Sequence, residues 1–219
     1  MKKSEWKIKK KLLAYALIIV SGVIGYYGIE LIIAYQKKDV LRKQYLSPDA
    51  VEITSRDLSS EQLKALIRVQ DPNFYGHQGV DFSTPGNGWT TITQSIVKWL
   101  YFKEFKQGIR KIKQTLIARL IANYHFAKDE QLTIFINNIW FEPDVVGLQQ
   151  AAKHFFHKTI CQVTQDEYLA LVAMMINPQK YNIHTAPKEN KKRVERIKRY
   201  LRDEYRPKGL FDIEYDKFY

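Results

Sequence analysis

The side chains best suited to chemistry fall in two stretches of this chain. The first is residues 70–79, Gln-Asp-Pro-Asn-Phe-Tyr-Gly-His-Gln-Gly, which holds Gln70, Asp71 and His77. The second runs from residue 91 to 114 and carries Thr91, Thr93, Gln94, Lys98, Arg110, Lys111 and Gln114. Lys98 follows Gln94 by one helical turn, and Arg110 and Gln114, four apart, share a helix face beside Lys111. Taken alone, Arg110 and Lys111 read as a solvated basic face; contact with phosphate oxygens, which arginine suits well, is the alternative. A single histidine such as His77 is most often structural, and Asp71 can serve as a cap or a pairing partner. Cys161, the one cysteine, excludes an internal disulfide and lacks the companions of a zinc site; no metal-ligand set is expected.

Helices must position these residues. Ser59-Ser60-Glu61 ahead of Leu63, Leu66 and Ile67 reads as a helix start. Residues 76–88, rich in glycine, read as a loop. Thr90 to Phe102 is apolar and helical in character despite its β-branched residues. Residues 110–126 place Ile112, Leu116, Ile117, Leu120 and Ile121 on a helical face, and Phe74, Leu116 and Leu120 read as core. Further helices are expected from Lys128 to about Ile139, Leu148 to His157 and Asp166 to Ile176, with a basic one over 187–205. The basic run from Lys188 to Arg206 reads as a solvated face, with contact to anionic lipid as the alternative. No segment sustains strict alternation, so a large sheet is not expected.

The chain has 219 residues and a formal net charge of +12, with 45% hydrophobic residues. It is long enough for one domain and an anchor and too apolar for a disordered chain. Residues 1–38 carry eight lysines against Glu5 and Glu30, half of the net charge. Leu12 to Ile29 contains no charge, and roughly 20 such residues cross a bilayer core. Tyr26, Tyr27 and Tyr35 suit the interface. The length of the run and the lack of a small-x-small site favour a retained anchor over a cleaved signal peptide. Six lysines precede the run, so the N-terminus is expected in the cytoplasm and the main domain outside. The expected organisation is a basic tail (1–11), a transmembrane helix (12–35), a connector (36–57), the domain (58–205) and a C-terminal tail (206–219). Beside a membrane, a phosphate-bearing lipid is a better partner for the basic charge than nucleic acid.

Residues 70–79 resemble the first motif of the family-51 glycosyltransferases, E-D-x-x-F-x-x-H-x-G. These enzymes polymerise lipid II into peptidoglycan glycan strands. Five further motifs follow in the family's order. G-x-S-T-I-T-Q-Q with a later lysine resembles Gly88 to Ser95 with Lys98; R-K-x-x-E resembles Arg110 to Gln114. Lysine followed by an apolar helix ending in Asn matches Lys128 through Asn137. A-A-x-x-F/Y-F matches Ala151 to Phe156, and N-P-x-x-Y-N lies in the stretch from Glu167 to Asn182. The resemblance covers about residues 58–200. It implies a mainly α, lysozyme-like, two-lobed domain with a substrate groove between the lobes. It implies lipid II and the nascent glycan as partners at the bacterial inner (cytoplasmic) membrane, with other wall-synthesis proteins as candidates. It leaves room for a divalent cation at the pyrophosphate.

By the same resemblance, the first-motif glutamate is the general base that deprotonates the acceptor 4-hydroxyl. The third-motif glutamate assists on the donor side. Here Gln70 and Gln114 occupy those positions. A carboxamide hydrogen-bonds well but cannot act as a base near neutral pH, and losing a general base typically costs about 10²–10⁴ in rate. Asp71, Asp81 and Glu104 are the nearby acids that could substitute. The resemblance gives the basic pair Arg110 and Lys111, with Lys98, to the pyrophosphate, and His77 to shaping the active-site loop. Only nine residues separate Asp81 from Thr91, a short loop for the family, and Trp89 and Thr90 stand where a small residue and a serine are usual. Three readings stay open: an active glycosyltransferase with a displaced base, a lipid II binder that does not polymerise, and a plain interaction protein.

Overall fold

The computed structural model describes residues 3–106 and 108–217. Lys2 of the basic tail and the last two residues therefore lie outside the described residues. The chain folds mainly as helices: α1 (Lys3–Leu46), α2 (Ser60–Gln70), α3 (Ile92–Tyr101), α4 (Ile109–Ile117), α5 (Asn123–His125), α6 (Lys128–Asn138), α7 (Leu148–Phe156), α8 (Gln165–Met174) and α9 (Pro187–Leu201). One antiparallel hairpin, β1 (Trp140–Glu142) with β2 (Val145–Val146), is the only sheet among the described residues.

Residues 6–46 form a helix long and apolar enough to cross a membrane. At about 1.5 Å per residue, α1 is longer than a bilayer needs. Its apolar residues from Leu12 to Ile33 are largely exposed, an apolar band of the length that a bilayer core takes. The helix continues past the expected end at residue 35 to Leu46, because no breaker occurs before Pro48. That extension docks on the domain. Ala34 and Leu41 are buried, Tyr45 donates to the Trp99 carbonyl at 2.9 Å, and Arg42 bonds the Glu130 carboxylate at 2.6 Å and the His125 carbonyl at 2.7 Å. Lys113 of α4 pairs with Glu30.

Three helix starts use the same reciprocal cap. Ser59 and Gln62 open α2, Thr91 and Gln94 open α3, and Thr164 and Glu167 open α8. At the centre, α6 is buried from Gln131 to Ile136 and packs on α3, while α8 packs on α9. Phe74, Ile92, Ile96, Leu132, Tyr168 and Leu171 are among the buried side chains that join these helices.

The helix of residues 109–125 departs from expectation. After α4 it passes through a π-helical segment, Ala118–Ala122, into α5. Its buried face is Gln114, Ile117, Ala118, Ile121 and Ala122. Ile109, Ile112 and Leu120 are exposed at 72%, 52% and 46%. Leu120 is therefore not core, as its spacing had implied. The apolar stripe is a second face on the helix that α1 contacts.

The last segment is also integral to the domain. Tyr205, Asp212 and Tyr215 are buried. Gly86 donates to the Gly209 carbonyl at 2.9 Å and Gly88 to the Leu210 carbonyl at 2.8 Å. Gly86 and Gly88 both have positive φ, the region open to glycine at little cost. A Cβ on Gly86 would lie 2.9 Å from the Pro207 ring.

Candidate active site

The end of α2 and the start of α3 meet through Asp71. Its carboxylate is fully buried, lies 2.9 and 3.0 Å from His77 Nε2, and accepts the Ile92 N–H at 2.9 Å. His77 Nδ1 accepts the Gly79 N–H at 3.0 Å, so the ring hydrogen sits on Nε2 and is donated to Asp71. Asp71 thus satisfies one of the free N–H groups at the start of α3. Thr91 donates to the Gly79 carbonyl at 2.8 Å and caps Gln94 N at 3.0 Å. Thr93 bonds Gln131 at 2.6 Å, and Gln94 Nε2 reaches Thr115 at 3.0 Å. All these groups are buried except the half-exposed Thr115. They form a floor whose hydrogen-bonding capacity is spent within the protein.

Above the floor lie two adjoining cavities of about 410 Å³ each. Trp89, Thr90 and Lys98 line both. Gln70, Asn87, Ser95 and Arg193 line one of them, and Phe105, Lys111 and Ile112 the other. Lys111 donates to the Thr90 hydroxyl at 3.0 Å, and Lys98 Nζ lies 5.5 Å from the Phe105 ring centroid. Among the described residues neither lysine has an ion-pair partner. Burial, with the charge of Lys98 second, draws the Lys111 ammonium down to about 8; burial also lowers Lys98. Two half-desolvated cations on one groove wall make that wall electropositive.

The expected site residues divide. Gln70, Lys98 and Lys111 share the groove. Arg110 does not line it: its side chain is exposed and bonds the Glu104 carbonyl at 2.6 Å. Gln114 is buried, donates Nε2 to the Gln94 carbonyl, and leaves Oε1 without a partner. A carboxylate could not make that bond. Asp71, His77, Thr91, Thr93 and Gln94 lie in the floor.

The substitute acids also lie elsewhere. Burial opposes the Asp81 charge, yet the Thr84 hydroxyl, the Asn73 amide and the Ser83 and Thr84 N–H groups hold its carboxyl well below the usual range. Glu104 is exposed. No carboxylate lines either cavity, so the groove offers a divalent cation no anionic ligand of its own. Arg193 was not anticipated. It is 1% exposed, lies near the Tyr181 and Tyr215 rings, and its Nε and Nη1 lack partners. The signal was the spacing of Asn190, Arg193, Val194 and Ile197, the inward stripe of α9.

The family model described as Transglycosylase matches residues 37–202, most of the chain. The chain belongs to the transglycosylase family. It is 27% identical over 233 residues to penicillin-binding protein 1F of Bacillus subtilis, covering 91% of this chain and 32% of that protein. It is 29% identical over 161 residues to penicillin-binding protein 1A of Escherichia coli, covering 68% of this chain and 19% of the relative. Penicillin-binding protein 2a of Streptococcus pneumoniae is 30% identical over 141 residues, 60% of this chain and 19% of the relative. The chain thus spans about a third or less of these curated relatives. The domain is of the peptidoglycan glycosyltransferase type, carried behind an N-terminal helix able to span a membrane.

Proposed function

We propose that this transglycosylase-family protein binds lipid II or the nascent glycan at the membrane surface and polymerises it weakly or not at all. The observation that carries the reading is the composition of the groove: Lys98 and Lys111 on one wall, Gln70 where the family has its base, and no carboxylate among the lining residues. The cations suit a pyrophosphate. Gln70 can accept a hydrogen bond from the acceptor hydroxyl and hold it, but cannot take its proton. The exposed Ile109 and Ile112, next to the membrane helix in the fold, suit a polyprenyl chain that stays in the bilayer. In this reading the N-terminus is cytoplasmic and the domain external, as the lysine asymmetry favours. The protein then acts in wall synthesis as a regulator or scaffold.

The test is binding and polymerisation of labelled lipid II by the full-length protein beside Gln70→Glu. The expected outcome is binding by both, no polymer or only traces from the native protein, and a gain of polymer with Gln70→Glu. Vigorous polymerisation by the native chain would return it to the active enzymes. Absence of lipid II binding would leave only the interaction-protein reading.

A further inference from the structure

At the mouth of the groove three aromatic side chains stand in water. Phe82, Trp89 and Phe211 are 48%, 60% and 52% exposed. They touch: the Phe82 and Trp89 ring centroids are 6.0 Å apart, and those of Trp89 and Phe211 5.1 Å. Apolar surface kept exposed in one contiguous patch forgoes the stabilisation of burial and marks a contact surface. The patch is also held in place. The Gly86 and Gly88 N–H groups bond the carbonyls of residues 209 and 210, so the loop carrying Trp89 and the segment carrying Phe211 are pinned to each other beside the ring contact.

The position of Trp89 selects the occupant. One of the two cavities it lines holds Lys98 and Lys111. The other has neutral amides and hydroxyls, Gln70, Asn87, Thr90 and Ser95, beside Lys98 and Arg193. The Asn87 Oδ1 is buried without a partner. A pyranose ring has an apolar C–H face and an edge of hydroxyl and acetamido groups. An indole face next to amides and hydroxyls matches both, and the lysines next door match a phosphate joined to that ring. Val69, Met175, Ile176 and Ile213 also line this cavity, but a lipid tail would leave its amides and hydroxyls without partners.

We propose that Trp89, braced by Phe82 and Phe211, is a stacking platform for a hexopyranose ring of the bound saccharide, whose polar edge is met by Gln70, Asn87 and Ser95. The proposal rests on the reading of the groove as a site for a pyrophosphate-linked saccharide. The platform is a feature of this chain's own residues, since Trp89 stands at a small-residue position of the motif and Phe211 lies beyond the matched region.

The experiment compares two probes on the full chain in lipid nanodiscs: lipid II, and undecaprenyl pyrophosphate, which carries the lipid and the phosphates without the sugars. Trp89→Ala should weaken lipid II binding by about five- to tenfold, the size of one lost aromatic contact, and leave undecaprenyl pyrophosphate within about twofold. Trp89→Phe should restore most of the loss, and Phe211→Ala should produce a smaller one. Thermal unfolding of each variant should match the native chain, because Trp89 is mostly exposed. Equal losses on both probes would mean a lipid contact and overturn the platform. Unchanged lipid II affinity in Trp89→Ala would overturn it too and leave the patch to a protein partner. If the native chain binds undecaprenyl pyrophosphate as tightly as lipid II, the sugar contact is absent although the anion site stands. If it binds neither, the reading of the groove fails and the platform with it.

Discussion

The floor and the wall of the groove are built from neighbouring residues of the same motifs, yet they differ in one physical respect. In the floor, the polar side chains from Asp71 through His77 and Thr91 to Gln94 have partners inside the protein. On the wall, Lys98 and Lys111 are half-buried cations with no counter-charge among the described residues, and Gln70 faces a cavity. A satisfied polar network specifies geometry. An unsatisfied one is a standing cost that a ligand can relieve. Motif residues therefore have two trades here, and sequence alone ran them together.

The floor should break hardest. Asp71→Asn keeps the shape but removes the charge that holds His77 and the Ile92 N–H. Weakening buried charge-assisted bonds is expected to cost about 2–3 kcal/mol, read as a lower midpoint in denaturant unfolding. If Asp71 were instead a displaced base, stability would hold and only turnover would fall.

The wall should break binding without breaking the fold. Lys98→Ala with Lys111→Ala is expected to weaken lipid II binding by about 10- to 100-fold, as for the loss of two charge-assisted contacts, with stability unchanged or raised because two buried charges are gone. Arg110→Ala sharpens the contrast. Although Arg110 adjoins Lys111 in sequence, it points to the Glu104 carbonyl, and its removal should change affinity by no more than about twofold, as for an exposed charge. Equal effects from Arg110 and Lys111 would merge wall and surface into one basic patch.

Gln114 tests the floor from its other side. Gln114→Glu would set a carboxylate against the Gln94 carbonyl in a fully buried position. A loss of about 1–3 kcal/mol at neutral pH is expected for a buried donor exchanged for an unpaired charge. The new carboxyl would titrate above its unfolded value, so the loss should shrink as pH falls. A variant as stable as the native chain at both pH values would mean that α4 can swing the side chain into the groove.

Much of this was legible beforehand. The helices were read from period and, for α2, from its start at Ser59-Ser60-Glu61; the Thr91-x-x-Gln94 capping box was passed over although its signature is local. Four further things were not read. The direction of Arg110 against Lys111 depends on about 100° of helix rotation, which spacing gives only relative to an unknown neighbour. The stripe of Ile112, Leu116 and Leu120 has core periodicity whether it meets protein or lipid. The spacing of Arg193 with Asn190, Val194 and Ile197 was a signal masked by the basic run around it, and the docking of residues 205–215 on the motif loop is a long-range contact with no local signature.

The smallest effect is the most diagnostic of the wall. The folded Lys111 loses its proton near 8, whereas an unfolded lysine holds it to 10.5. Between those values the unfolded chain binds more protons, so the ligand-free protein should gain stability as pH rises through that window. Affinity for the anionic lipid should move the other way, falling as Lys111 discharges, with the midpoint shifted upward in the complex because the anion favours the charged form. Lys98, lowered by burial, adds to the fall in affinity. Opposite slopes for stability and affinity are what a desolvated cation facing a ligand must give; a surface lysine would give neither. Lys111→Arg stays charged throughout and should flatten the affinity profile while preserving binding near neutral pH. Were the native affinity already flat from about pH 7 to 10, neither the Lys111 nor the Lys98 ammonium would be meeting the phosphate, and the anion would lie elsewhere.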